Sequence, residues 1–315
     1  MSVLKTLVII GIIVLAGLVL LYIVPSVLVF FAIFYRKDPL PFDEYDLEKH
    51  KDHYFVPFAQ RVGDKRAELQ QYPMEEVSVT SGDGLTLRGV YFDNHAKRTA
   101  ILFHGINAEL FTNVSAQALY LYKQGFNVLP VYHRAHLKSD GRWTTIGLRE
   151  QYDVLRWVDW AQAHGAEEVL LYGVSMGAAT IAFASDKLNG TVVKGMVIDS
   201  GFYSVYAQMK RDHKKMHIPP ITLPTECVMA KLFLKADMRT TTADSLKNTD
   251  IPALFIHGTN DETVEYRWGV KNYEACASQK ELLLVDNAPH TLSIYENPTL
   301  VSERLTAFIH TYFNH

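Results

Sequence analysis

Cysteine is scarce in this chain. The 315 residues include two, Cys227 and Cys276, and neither lies in a C-x-x-C or Cys/His ligand spacing. A disulfide framework and a structural zinc site are therefore unsupported. Excess charge is lacking as well. Because a net charge of −3 leaves no basic face for phosphates, we expect no nucleic-acid partner.

Charge is also missing from a long segment near the amino terminus. No charged residue occurs from Thr6 through Tyr35, and an apolar stretch of about 20 residues is enough to cross a bilayer. A signal peptide has an apolar core of about 7–15 residues and then a cleavage site, whereas this segment stays apolar beyond Pro25. We predict that residues 1–35 form an uncleaved, single-pass transmembrane anchor that contacts the lipid bilayer through residues 6–35. The alternative is an apolar hairpin docked on the domain.

The flanks of this segment carry too little charge to orient it. Lys5 precedes it, and Arg36 and Lys37 follow it, so the positive-inside count is nearly balanced. Aromatic residues near its carboxyl end predict an interfacial belt. They are Phe30, Phe31, Phe34 and Tyr35.

The rest of the chain divides into a connector and one domain. Residues 36–74 are predicted to form a polar connector with a helix. Apolar strand patterns alternate with helical patterns over residues 75–315, which predicts an α/β domain with a mostly parallel central sheet flanked by helices. Residues 202–248 break this alternation and predict a helical lid insertion. Its basic cluster between Lys210 and Lys215 fits a solvated helix face, or else a contact with anionic lipid or acidic substrates.

The motif Gly173-Val174-Ser175-Met176-Gly177 stands between a predicted strand and a predicted helix. A serine on such a sharp turn has a strained backbone, and the two glycines remove side chains that would collide across the turn. Ser175 is therefore the candidate nucleophile. The Met176 amide, at the start of the helix, can stabilise an oxyanion. A glycine-rich structural turn is the alternative interpretation.

A second group of backbone amides follows an earlier buried strand, in His104-Gly105-Ile106-Asn107. We predict that the Ile106 amide is the second oxyanion donor. His104 itself is interpreted as a turn residue with local hydrogen bonds rather than as a catalytic group.

A serine hydroxyl needs a base to take its proton, and the base needs an acid to orient it. His290 and Asp261 each follow a predicted strand, so both should reach the sheet edge where Ser175 lies. We assign His290 as the base and Asp261 as the acid. Asp199, which also ends a predicted strand, is the alternative acid.

Two further histidines, His133 and His136, lie in a polar loop. Cysteine or carboxylate ligands at a compatible spacing are missing, so we predict no metal site and interpret both as solvated or structural residues. No cofactor is implied, because a triad supplies its own nucleophile.

Taken in order, these motifs resemble those of the α/β-hydrolase superfamily over roughly residues 75–315, including its order of serine, acid and histidine. They look like the bacterial membrane-anchored hydrolases of the Bem46-like and dipeptidyl-peptidase-like branches. The resemblance implies an α/β-hydrolase fold with a Ser-His-Asp triad, and a hydrolase domain outside the cell. The matching motifs are Gly-Val-Ser-Met-Gly, His104-Gly105, Gly258-x-x-Asp261-x-x-Val264 and Ala288-x-His290.

One loop departs from the related pattern. Relatives often carry Asp-x-Arg-x-His-Gly-x-Ser after the fourth strand, whereas Tyr132 and Leu137 stand here at the Asp and Gly positions. We expect this loop to shape a different pocket.

The first functional hypothesis is a membrane-anchored serine hydrolase that cleaves a carboxylic ester of a small molecule through an acyl-enzyme. A serine peptidase or amidase would use the same triad on a peptide substrate. The hypothesis from another class is a noncatalytic binding scaffold on a hydrolase fold. The intact set of Ser175, Asp261 and His290 argues against the scaffold.

Overall fold

Strands and helices alternate along most of the chain. The computed structural model describes residues 3–38 and 53–313, so part of the predicted connector lies outside the described residues. The helices are α1 (Val3–Phe34), α2 (Ala59–Leu69), α3 (Leu110–Lys123), α4 (Glu150–Ala163), α5 (Met176–Ala184), α6 (Val205–Lys215), α7 (Leu223–Phe233), α8 (Thr242–Leu246), α9 (Tyr266–Ala275), α10 (Ser293–Glu296) and α11 (Pro298–Tyr312). The strands are β1 (Glu75–Thr80), β2 (Thr86–Tyr91), β3 (Arg98–Phe103), β4 (Asn127–Val131), β5 (Glu168–Val174), β6 (Val193–Asp199), β7 (Ala253–Gly258) and β8 (Lys280–Val285).

The eight strands of the described residues form one sheet in the order β1-β2-β4-β3-β5-β6-β7-β8. β2 runs antiparallel to β1 and to β4, and the remaining neighbours are parallel. Parallel strands need helical crossovers that cover both faces, which explains their apolar sequences. In β5, Leu170 and Tyr172 pack into the apolar cluster on one face, and Val169 and Leu171 pack into the other. The predicted fold class is thus confirmed.

The carboxyl ends of the parallel strands bring the candidate residues to one edge of the sheet. Ser175 directly follows β5, Asp261 lies in the loop after β7, and His290 lies in the loop after β8. Because these strands are parallel and close in the sheet order, their following loops converge.

The segment predicted as a lid, residues 202–248, consists of two parts that pack differently. α6, the 3₁₀ turn Pro220–Thr222 and α7 pack on one another, and the last two also pack on α1. α8 packs on α5 instead, where the Ser245 hydroxyl donates a 2.8 Å hydrogen bond to the Phe183 carbonyl. We therefore use "lid" for Val205–Phe233 alone.

α1 divides into an exposed part and a docked part. An 18-residue window within it has a mean hydropathy of 3.2 and none of its residues buried, so the helix is long and apolar enough to span a bilayer. Towards the carboxyl end, Ser26, Phe30 and Phe34 are buried. Their spacing of four residues places them on one helical face, which packs on the rest of the protein.

The docked end of α1 is held by Trp143 and its neighbour. The ring centroids of Phe30 and Trp143 lie 5.7 Å apart, and the Thr144 amide donates to the Phe34 carbonyl over 2.9 Å. Phe30 is 2% exposed and Phe34 is 0% exposed, whereas Phe31 is 45% exposed. The predicted interfacial belt is therefore wrong for Phe30 and Phe34, because both side chains face protein.

Candidate active site

Ser175 occupies a strained turn between β5 and α5. Its φ of 54° and ψ of −113° lie outside the regions that non-glycine residues favour, as a sharp strand-to-helix turn requires. The Ser175 amide donates to the Asp199 carbonyl over 2.8 Å. The strained conformation is thereby held by the neighbouring strand, β6, and the side chain is presented at the edge of the sheet.

Both glycines of this turn lie where no side chain fits. A Cβ atom at Gly173 would come within 2.4 Å of the Gly177 carbonyl oxygen, and one at Gly177 within 2.0 Å of the Phe103 carbonyl oxygen. A Cβ atom cannot approach an oxygen that closely without moving the backbone. The spacing Gly-x-Ser-x-Gly therefore follows from close contact between β3, β5 and α5.

Ser175, His290 and Asp261 form one chain of hydrogen bonds. The Ser175 hydroxyl donates to His290 Nε2 over 2.9 Å, and His290 Nδ1–H donates to Asp261 Oδ2 over 2.6 Å. Because the Asp261 carboxylate accepts the hydrogen bond from Nδ1–H, it selects the His290 tautomer whose Nε2 is an acceptor. The three residues are 8%, 7% and 7% exposed. These small exposed fractions shelter the three side chains from bulk water but leave them accessible to a small molecule. His290 is placed to take the proton of the Ser175 hydroxyl.

Asp261 accepts hydrogen bonds on both carboxylate oxygens. Oδ1 accepts from the amides of Thr263 and Val264 over 2.9 and 2.7 Å, and Oδ2 accepts from His290 and from His257 Nε2–H, the latter over 3.2 Å. Burial acts to raise the pKa of Asp261. The charge of His290 and the hydrogen bonds from both histidines outweigh burial, so the pKa lies well below its usual range. The acid is therefore ionised where an imidazolium would form.

His257, which lies in β7 and is 0% exposed, is a site residue that the sequence did not predict. Its Nε2 faces Asp261 and also the Val264 carbonyl, at 3.0 Å. Both partners are acceptors, so Nε2 carries the proton. Nothing in the sequence distinguishes this residue from an ordinary core histidine, because its contact with Asp261 depends on how the following loop folds back.

Asp199, the alternative acid, makes different contacts. Its Oδ1 accepts from the Ser200 hydroxyl over 2.9 Å, and its Oδ2 accepts from the Tyr172 hydroxyl over 3.1 Å. Burial raises the pKa of Asp199 to about 6, and hydrogen bonds from Ser200 and Tyr172 offset only part of this effect. The structure thus brings Asp261, and not Asp199, into hydrogen-bond contact with His290.

The two predicted oxyanion donors lie beside Ser175. Ile106 and Met176 line the same pocket as Ser175, and neither amide donates to an acceptor within the described residues. A Cβ atom at Gly105 would lie 3.3 Å from the Ser175 Cβ, and the Gly105 amide donates to Asn113 Oδ1 over 2.7 Å. Asn113 on α3, which the sequence did not predict either, therefore positions this loop.

Three other histidines form a buried group near the site. His104 donates from Nδ1 to the Gly105 carbonyl over 2.6 Å and accepts at Nε2 from the His133 amide over 3.3 Å, which fits a turn residue. His133 and His136 are 4% and 1% exposed, so they are structural rather than solvated. Burial lowers the pKa of all three. Within the described ranges, no cluster of three or more His, Cys, Asp or Glu side chains could hold a metal ion.

The loop that departs from the related pattern, residues 132–141, contributes no residue to the pocket at Ser175. Arg134 donates two hydrogen bonds to Asp153, over 2.6 and 2.7 Å, and the Leu137 amide donates to Asp38 Oδ1 over 2.9 Å. The loop therefore braces α4 and the segment after α1. The expectation that it shapes the pocket is wrong for this reason.

A pocket of about 360 Å³ opens at Ser175, a volume within the range of small-molecule sites. We call the set of predicted catalytic groups the catalytic floor. It consists of the side chains of Ser175, His290 and Asp261 and the amides of Ile106 and Met176. Of these residues, Ser175, Ile106 and Met176 line the pocket.

We call the apolar part of the pocket lining on α1 and the lid the apolar wall. It is formed by Val29, Ala32 and Ile33 of α1 and by Val205 and Met209 of the lid. Val205 and Met209 are 0% and 3% exposed. The docked end of α1 is thus part of the pocket itself.

No family model matches the chain, but curated proteins are similar to it. The uncharacterized protein YqkD of Bacillus subtilis is 25% identical over 228 residues, which cover 70% of this chain and 73% of YqkD. The uncharacterized protein YfhR of Escherichia coli is 24% identical over 226 residues, which cover 69% and 73%. Alpha/beta hydrolase domain-containing protein 17C of Xenopus tropicalis is 28% identical over 145 residues, which cover 45% of this chain and 39% of that protein.

Solved structures share the architecture. An esterase of Pyrococcus furiosus has a TM-score of 0.65 and 24% identity, with 78% of this chain and 93% of that chain covered. Est1E of Butyrivibrio proteoclasticus, solved with ferulic acid bound, has a TM-score of 0.59 and 17% identity, with 76% and 100% covered. The chain therefore has the α/β-hydrolase fold, as its motifs predicted. The closer resemblance to the Bem46-like branch stays a prediction.

Proposed function

We propose that this chain is a membrane-anchored serine hydrolase that cleaves a carboxylic ester through an acyl-enzyme. The observation that carries the proposal is the chain of hydrogen bonds that runs from Ser175, which lines the pocket, through His290 to Asp261. A strained serine, an acceptor Nε2 and an ionised carboxylate are the groups that covalent acyl transfer requires.

The proposed reaction has two halves. Ser175 Oγ attacks the ester carbonyl carbon while His290 Nε2 takes the hydroxyl proton, and Asp261 stabilises the imidazolium. The amides of Ile106 and Met176 donate to the oxyanion. The carbon–oxygen bond to the leaving group then breaks, and the departing alcohol takes the proton from His290. A water molecule next gives a proton to His290 and attacks the acyl-enzyme, which releases the carboxylic acid and restores the Ser175 hydroxyl.

The apolar wall suits an acyl chain, because burial of each methylene contributes about 0.8 kcal/mol. An ester is favoured over an amide because solved structures similar to this chain include an esterase of Pyrococcus furiosus. A peptidase or amidase would use the same catalytic floor, so matched substrates must separate the two reactions.

Retention of α1 as an anchor is supported by the contacts of its docked end with the pocket and with Trp143. Signal-peptide cleavage after the apolar segment would remove Val29, Ala32 and Ile33 from the pocket and uncover Trp143. We further propose that the hydrolase domain lies outside the cell, as the sequence resemblance implies. Alkaline phosphatase fused to the carboxyl end of the full chain should be active, and an inactive fusion would place the domain inside.

The test of catalysis is fluorophosphonate labelling of the detergent-solubilised full chain, followed by turnover of a p-nitrophenyl ester series and matched p-nitroanilides. Ser175→Ala should abolish labelling and lower kcat by roughly 10⁴- to 10⁶-fold. Ser302→Ala, a serine on α11, is the matched control and should retain both. A wild-type chain that neither labels nor turns over any ester would favour the noncatalytic scaffold, and faster anilide than ester turnover would favour the amidase.

A further inference from the structure

The outer surface of the lid carries a set of large apolar side chains that solvent can reach. Val228 and Leu232 lie one helical turn apart on α7, so they share a face. We call the set the lid face. Its members, with their exposed fractions, are Met216 (68%), Ile221 (63%), Val228 (56%), Leu232 (69%) and Phe233 (72%). Apolar surface of this kind marks a contact site on a folded protein.

The lid adjoins the exposed part of α1. α7 packs on α1, and the Thr225 hydroxyl donates to the Tyr22 hydroxyl over 2.6 Å. Residues 3–21, which precede this contact, span about 28 Å at 1.5 Å per residue, close to the hydrocarbon thickness of about 30 Å. If α1 spans the bilayer, the lid meets it where the helix leaves the hydrocarbon.

The pocket extends to the region where the lid contacts α1. Val29 and Ile33 of α1 belong to the apolar wall, and Met216 both lines the pocket and is 68% exposed. Met216 therefore connects the pocket interior with the lid face. An acyl chain that follows α1 would pass from hydrocarbon to the catalytic floor without exposing its methylenes to water, which would cost about 0.8 kcal/mol each.

The charges at the edge of the lid agree with a membrane contact. Lys214 and Lys215 directly precede Met216, are exposed, and form no salt bridge within the described residues. Basic side chains next to an apolar face are suited to the headgroup level of a membrane. This favours the lipid-contact interpretation of the basic cluster over a merely solvated helix face.

We propose that the lid face lies in the surface of the bilayer and that the substrate is an ester whose acyl chain resides in the membrane and enters the pocket along α1. The inference rests on the proposed function, since it assumes anchoring by α1 and ester cleavage at Ser175. It assigns to the lid face a role in delivering substrate.

The first experiment measures the membrane contact without using activity. The full chain is reconstituted in phosphatidylcholine vesicles as Phe233→Trp and, for control, as Tyr152→Trp on α4, where Tyr152 is 53% exposed. Phosphatidylcholine brominated on its acyl chains should quench the fluorescence that Phe233→Trp adds over wild type and leave that of Tyr152→Trp unchanged. Equal responses of the two variants would overturn the membrane contact.

The second experiment measures delivery. In the Leu232→Glu/Phe233→Glu variant, hydrolysis of 4-methylumbelliferyl palmitate dissolved in the vesicles should fall at least about tenfold, because charged side chains disfavour insertion. Hydrolysis of water-soluble 4-methylumbelliferyl acetate and fluorophosphonate labelling should stay at wild-type levels, as neither side chain lines the pocket. Tyr152→Glu should retain both rates.

The outcomes separate this inference from the proposed function. An unchanged palmitate rate in the double variant would overturn membrane delivery. If the double variant loses acetate hydrolysis and labelling as well, it has misfolded, and the quenching result decides. A wild-type chain inactive on both esters would overturn ester hydrolysis, while quenching would still report whether the lid face contacts lipid.

Discussion

The catalytic floor and the apolar wall meet at Ser175 and the pocket beside it, but they are held in place in different ways. The floor depends on backbone geometry: the strained φ of Ser175, close contacts at two glycines, and hydrogen bonds on both oxygens of Asp261. The wall consists of apolar side chains on α1 and the lid. Catalytic groups must be held within a fraction of an ångström of their working positions, and loops that follow the strands of a buried sheet can hold them there. Accommodating an acyl chain requires shape and apolarity, which helices at a membrane can supply.

The largest expected effect is at the floor. Asp261→Asn should lower kcat by about 10⁴-fold with little change in KM, because the imidazolium loses its stabilising charge and the tautomer is no longer selected. Asp199→Asn is the matched control and should change kcat far less, since Asp199 makes no hydrogen bond to His290 in the described structure. Steady-state kinetics on p-nitrophenyl butyrate measures both, and a larger loss in Asp199→Asn would reverse the assignment of the acid.

An effect of intermediate size is expected at the wall. Met209→Trp should lower kcat/KM for p-nitrophenyl decanoate by about 10- to 100-fold. The larger side chain fills the space of roughly three methylenes of the acyl chain, and burial of each contributes about 0.8 kcal/mol. The value for the butyrate ester should change little, since a short chain does not fill the pocket. Met229→Trp, at a half-buried position of α7 outside the pocket lining, controls for bulk in the lid. Equal losses on both esters would show that Met209 does not limit chain length.

A smaller effect should separate positioning from chemistry within the floor. His257→Leu removes one donor to Asp261 Oδ2 and should lower kcat by about tenfold, because a hydrogen bond to a charged group contributes about 1.5–3 kcal/mol and only part of this affects the transition state. His257→Gln, which keeps an N–H donor, should recover part of the loss. If kcat stays constant while the thermal midpoint drops in both variants, His257 is structural alone.

The smallest effect concerns the stability of the folded protein at acidic pH, to which the buried His133 contributes. Burial, with the nearby charge of His136, lowers the pKa of His133 from 6.5 to about 3. Between those two pH values, the unfolded chain binds a proton at His133 that the folded chain excludes. The contribution of neutral His133 to the free energy of unfolding is therefore fully present above pH 6.5 and is lost as the pH falls. The loss is up to about 1.4 kcal/mol per pH unit for this group.

Thermal unfolding of the full chain in detergent between pH 7 and pH 5 measures this effect. His133→Gln should make the decline of the midpoint shallower, while His95→Gln, at an exposed histidine, should leave it unchanged. The raised pKa values of Asp153 and Asp199, both about 6 because of burial, act with the opposite sign. Their contribution is common to wild type and variants, so the difference between proteins isolates His133. Identical slopes would refute a neutral buried His133.

Much of the fold and the candidate floor could be predicted from local sequence. The elbow at Ser175 requires glycines at fixed spacing, and the apolar length of α1 is a property of a continuous segment. The positions of Asp261 and His290 after strands were sufficient to bring them to one sheet edge, because parallel strands share that edge. Each of these features depends on residues close together in the chain or on the direction of a strand.

Tertiary structure alone decided the rest, because it depends on contacts between distant segments. Asp199 and Asp261 both end strands, and only the folding of their loops shows which one meets His290. The contact of His257 with Asp261 has no sequence pattern. The sequence predicts Phe30 to lie in an interfacial aromatic belt, yet its ring packs on Trp143, far along the chain. Hydrophobicity shows that a side chain avoids water, but it does not distinguish burial in lipid from burial in protein.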